Sequence, residues 1–184
     1  MRGGELPDPN QILSFWWKAG PQAWFSGDGA FDESCRTECG AAFEAACAGE
    51  LEAWRDAPHS MLALILLLDQ MPRNMFRDTP RMFATDAQAL ALAEESLARG
   101  YHRAYPYPAR RFFYMPFMHA EDIAAQTRCV DLCRADGDDE GYHYALVHMD
   151  PIRRFGRFPH RSAILDRVST PEEDAYLRTG GFGG

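Results

Sequence analysis

β-Branched aliphatic residues are scarce in this chain: three Val and five Ile stand against 26 Ala and 15 Leu. Pleated strands favour β-branched side chains, so the composition excludes a large sheet and predicts an all-helical protein. Long apolar runs are missing as well. The longest, Met61–Leu68, is eight residues, whereas a bilayer span needs about 20, so no membrane association is expected. Met1–Asn10 has no apolar signal-peptide core, which makes the cytoplasm the expected location. Lysine is nearly lacking, with Lys18 alone against 18 arginines. Such a bias can reflect genome composition and carries little functional weight. Basic character is also absent overall: the net charge is −8 and the pI about 5.2. An acidic chain has no general attraction for nucleic acid, and none is expected as a partner.

Familiar chemical patterns are lacking too. There is no Gly-x-Ser-x-Gly nucleophile elbow, no phosphate-binding Gly-x-x-x-x-Gly-Lys loop and no dinucleotide fingerprint. The five cysteines are an odd number in a chain without an export signal, which argues against a disulfide framework. Cys35 and Cys39, like Cys129 and Cys133, are spaced to share one helix face. Without the turn glycines of a structural zinc loop they are expected to be small packing residues, with no metal and no cofactor.

Helix punctuation is abundant by contrast. Asp8-Pro9-Asn10-Gln11 supplies an N-cap, a proline at N1 and a capping-box partner. Asp32 is expected to cap a helix through Ala48, and Ser60 to precede an apolar helix Met61–Gln70 that Pro72 stops. Thr85 is placed to cap Asp86–Arg99, with Gly100 at C′. A helix His119–Ala135, with His119 as N-cap, and one over Tyr142–Phe155, kinked at Pro151, are expected next. Ser169-Thr170-Pro171-Glu172 reads as a capping box for a last short helix. Together these predict a single domain over 1–179, built of six to eight antiparallel helices around the apolar 61–68 segment, and a flexible glycine-rich tail at 180–184.

Three stretches mix charge with aromatics, methionine and proline: Leu66–Arg77, Arg111–Asp122 and Arg153–Leu165. Buried charges need partners, so the three are expected to meet around one polar site. Asp69 would end an apolar helix, where the dipole disfavours a carboxylate by about 0.3–1 kcal/mol; it therefore needs a cation, such as Arg73 or Arg77. Arg154, Arg157, His160 and Arg161 form a second cluster whose planar guanidinium groups suit a carboxylate or phosphate. With Asn74 these arginines and Asp69 are the candidate ligand-binding residues. His119, Glu121 and His160 are the candidate acid–base residues.

Leu64–Arg77 (LILLLDQMPRNMFR), Phe83-Ala84-Thr85-Asp86, Phe113–Asp122 (FYMPFMHAED) and Arg154–Leu165 (RFGRFPHRSAIL) occur in the order seen in a bacterial family of uncharacterised proteins, domain-of-unknown-function family 924. The chain resembles that family from Ile12 to Glu173. The resemblance implies a tetratricopeptide-like right-handed superhelix of paired helices, and it implies no established activity. Ser162 stands where asparagine is common in the family and Asp166 where glycine is common, while Pro151 interrupts a helix that usually runs on.

Three functional readings remain open at this stage. One is a binding module that takes a small anionic ligand or acidic peptide. Another is a hydrolase or lyase on a phosphorylated or carboxylated substrate, with His119 or His160 as acid or base and Glu121 or Asp69 orienting it. The third is a scaffold for a protein partner, the polar cluster being purely structural.

Overall fold

The computed structural model describes residues 6–184; the first five, part of the expected domain and of the Met1–Asn10 segment, lie outside it. Among the described residues there is no strand, and ten α-helical segments are joined by short turns and 3₁₀ helices. Helix α1 (Pro9–Ala19) opens with the expected capping box: the Gln11 amide donates to Asp8 Oδ1 at 2.9 Å and the Asp8 amide to Gln11 Oε1 at 2.8 Å. A short α2 (Pro21–Trp24) folds back so that Trp24 stacks on Trp16. Helix α3 (Gly29–Cys47) is capped by Asp28 and not by Asp32. Asp32 lies in the first turn, buried, and accepts two hydrogen bonds from Arg77. Cys35 and Cys39 are free thiols packed into the core from α3, as are Cys129 and Cys133 elsewhere.

The apolar segment forms the centre, with every residue from Met61 to Leu68 buried. It begins earlier than expected, at Pro58, and runs past Pro72. Helix α4 (Pro58–Ile65) widens into a π turn at Leu66–Gln70 and continues as α5 (Met71–Met75). The Met71 amide reaches Leu66 O, five residues back. A proline normally breaks a helix because its ring clashes with the carbonyl four residues earlier and it has no N–H to donate. Here that carbonyl, Leu68 O, accepts from Thr85 Oγ1 at 2.6 Å. The wide turn thus accommodates Pro72, and Thr85 is used to satisfy the central helix, not to cap α6 (Asp86–Ala98). Gly100 adopts the left-handed C′ conformation that the sequence suggests.

The expected single helix from His119 is two helices, α7 (Met115–His119) and α8 (Ile123–Ala135). Gln126 Nε2 donates to Met118 O and Ala120 O, closing the end of α7, and Asp122 caps α8. His119 therefore ends a helix instead of starting one, and Glu121 lies in the break. Helix α9 (Asp139–Phe155) packs against α8 as a hairpin through Gly137. It starts earlier than Tyr142, at the cap provided by Asp138, and contains Pro151 without stopping. Gly156 ends it in the left-handed region, at φ 71°. Helix α10 (Pro171–Arg178) carries a capping box formed by Thr170 and Glu173, one residue later than the sequence pattern suggests. No helix of the described residues is long and apolar enough to cross a membrane.

Candidate functional site

The π turn sets Asp69, fully buried, against the end of α7. Its Oδ1 lies 2.7 Å from His119 Nδ1, and its Oδ2 accepts from the side-chain Nε2 of the neighbouring Gln70. Burial by itself would raise the Asp69 carboxyl; the nearby His119, Arg73 and Gln70 outweigh it and hold the group below the usual range. Burial and Arg73 push the His119 imidazole down, so it is neutral at physiological pH. An ionised carboxylate only accepts, so the neutral ring carries its proton on Nδ1. Nε2 is left without a protein partner, on the side of a cavity.

Two arginines frame this pair. Arg73 grips Asp86 through two hydrogen bonds of 2.9 and 3.1 Å and donates to Asp69 O at 2.8 Å. Arg161 donates to Asp86 Oδ2 at 3.0 Å and to His119 O at 2.9 Å. Its guanidinium lies 4.4 Å from the ring centroids of both Phe83 and Phe158. Burial brings its pKa down to about 10, still charged at neutrality. Two cations and two anions thus balance around one neutral imidazole. The charges hold His119 in place and leave little net field.

His119 opens onto a cleft with two adjoining lobes of about 470 and 380 Å³. Trp24, Phe25, Asn74, His148 and Phe182 line both lobes. Met115, Met118 and Tyr144 make the second lobe apolar. His148 stands 6.1 Å from His119, centroid to centroid, and its Nδ1 lies 2.8 Å from Tyr144 O. A carbonyl also only accepts, so His148 is protonated on Nδ1 when neutral. Burial pushes its pKa down to about 3, and that of His160 to about 4. The glycine-rich end of the chain lies across the cleft. Phe182 packs 4.2 Å from His148 and 5.1 Å from His160, and its amide donates to the Tyr176 hydroxyl.

The three polar–aromatic stretches therefore meet, but they do not bring all their charged residues to one place. Asp69, Arg73, Asn74, His119, His160 and Arg161 converge, with Arg77 beside Asn74 at 3.2 Å. Glu121 faces away; it accepts from the Phe158 amide and pairs with Arg167. Arg157 is tied to Glu173 by two bonds, and Arg154 pairs along α9 with Asp150. Neither lines the cleft. Asp86, His148, Trp24, Phe25 and Phe182 complete the site and were not singled out by sequence reasoning. Asp86 ends the Phe83–Asp86 block, a signal that could have found it. His148 gives none, because its place depends on how α9 packs. Among the described residues no group of three His, Cys, Asp or Glu is placed to hold a metal ion.

The model of the family described as "Bacterial protein of unknown function (DUF924)" matches residues 12–181. A solved structure of a protein of unknown function from Agrobacterium tumefaciens is 49% identical, covers 94% of this chain and 97% of its own, and superposes with a TM-score of 0.90. No functionally curated protein matches the chain. A match over nearly the whole length establishes that the chain belongs to the DUF924 family of bacterial proteins.

Proposed function

We propose that the protein is a small-molecule enzyme of the hydrolase or lyase type in which His119 is the general base and Asp69 its orienting partner. One observation carries this reading: a buried Asp69–His119 hydrogen bond of 2.7 Å that fixes the tautomer and leaves Nε2 free at a cavity. A carboxylate that holds an imidazole in this way raises its basicity when a proton arrives and keeps it aimed while neutral. His119 would take a proton from water or from a donor group of the substrate. The arginines support a framing role, since Arg73 and Arg161 spend their terminal N–H groups on Asp86 and on backbone carbonyls. That pairing disfavours a grip on an anionic ligand. The α8–α9 hairpin suits the tetratricopeptide-like arrangement implied by the family resemblance, and five free thiols suit the reducing cytoplasm.

The test is a panel of aryl esters, amides, phosphoesters and β-hydroxy or β-amino acids, assayed with wild type and His119→Gln. A general base contributes about 10²–10⁴-fold, so the variant should lose that much of any activity found. Equal rates for wild type and His119→Gln would refute the proposal.

A further inference from the structure

We infer that the cleft selects a primary ammonium group carried on an aromatic body; this deepens the reading of His119 as a cavity-facing base and rests on it. His119 and His148 each spend their Nδ1 proton on an acceptor, Asp69 and Tyr144 O. Each neutral ring is left with a lone pair on Nε2, with no protein partner, beside the same cleft. Two acceptors 6.1 Å apart, ring to ring, want a ligand that donates more than one hydrogen bond. An ammonium group does so. A carboxylate or phosphate would meet lone pairs there; the terminal nitrogens of Arg73 and Arg161 are bonded to Asp86 and to backbone carbonyls, while Arg161 Nε is buried without a partner.

The surroundings agree with a cation. The walls are aromatic: Trp24 and Phe182, with Phe25 at 63% exposure and Tyr144 at 49%, line the apolar lobe. Aromatic faces attract ammonium and receive an aryl group equally well. The nearest fixed charges cancel, Asp69 and Asp86 against Arg73 and Arg161, and the chain as a whole carries −8. Glu140 at the rim of the apolar lobe adds a negative charge that is shared with Arg111.

Long-range ¹H–¹⁵N NMR of the full chain, with benzylamine, benzyl alcohol, benzoate and phenyl phosphate as probes, tests this directly. Nδ1-protonated tautomers are expected for His119 and His148, with saturable shifts of both Nε2 resonances on adding benzylamine and none on adding benzoate or phenyl phosphate. His148→Phe should weaken benzylamine binding by about tenfold. Binding of either anion at these resonances, benzyl alcohol binding as well as benzylamine, or no binding of any probe would each overturn the ligand class. If the tautomers are as expected and only benzylamine binding fails, His119 still stands as the base. Nε2-protonated His119 would remove both.

Discussion

Lowering the pH from about 7.5 to about 5.5 should cost the folded protein a large part of its stability, through histidines that cannot accept a proton where they sit. An unfolded histidine titrates near 6.5. In the fold, burial brings His148 down to about 3 and His160 to about 4. Over that pH interval the unfolded chain takes up protons that the folded chain refuses, so stability falls as pH falls. Each of the two contributes about 1.3 kcal/mol between those pH values, about 2.7 kcal/mol together. His119 and His102, both pushed down with burial the main cause, act in the same direction. Asp138, raised by burial, acts against them. Carboxylates held low, such as Asp69, Glu121 and Glu173, lose their contribution only at more acid pH, outside this window. With a urea m-value of about 2 kcal/mol per molar, the unfolding midpoint should drop by about 1.3 M. His148→Gln and His160→Gln should each remove about half of that drop, whatever they do to stability at neutral pH. A midpoint that moves by less than about 0.3 M in the wild type would refute the reasoning.

Replacing Asp69 by Asn keeps the shape but leaves Arg73 and Arg161 facing Asp86 alone. A loss of about 3 kcal/mol is expected, near the low end for breaking a buried pair, and calorimetry should show the midpoint falling by about 6–12 °C. Arg161→Met removes two charge-assisted bonds but leaves Asp86 with Arg73. About 3 kcal/mol should be lost in urea unfolding, and a loss above about 6 would mean that Arg73 does not hold Asp86 unaided. Asp166 sits at φ 52°, in the left-handed region, so Asp166→Gly should raise stability by about 0.5–1 kcal/mol in the same assay.

Local chemistry was readable in advance where it is local in fact. The Asp8 box, the Gly100 stop and the apolar segment at Met61–Leu68 depend on residues within a few positions of one another. Tertiary demands overrode the same rules elsewhere. Thr85 has the composition of a cap but bonds Leu68 O, 17 residues away in sequence, and His119 ends a helix because Gln126 occupies the carbonyls on either side of it, Met118 O and Ala120 O. The need of Asp69 for a partner follows from its apolar setting. That Arg73, one turn on, lies close by follows from spacing as well, whereas that His119, 50 residues on, faces it does not. Arg161 reaches Asp86 across 75 residues, a distance no spacing rule covers. Arg157 looked like a grip because its partner, Glu173, is an ordinary surface-type residue until the fold sets it opposite, whereas Arg154 is answered within its own helix by Asp150, four residues back.

The wide turn at Leu66–Gln70 also determines which changes of length the gene can accept. A π turn is an α-helix with one residue added, and removing any one of the five would return the segment to regular geometry. The helices on either side would keep their phase, so Arg73 and Asn74 would stay at the cleft. Pro72 would meet an ordinary helical carbonyl again, and Asp69 would lose the wide turn that sets it against His119. A deletion inside the regular helix 58–65 is different, because it turns every side chain beyond it by about 100°. A deep scan that includes deletions should therefore show the fold surviving single-codon losses at 66–70 better than at 58–65, with the Asp69–His119 pair as the casualty.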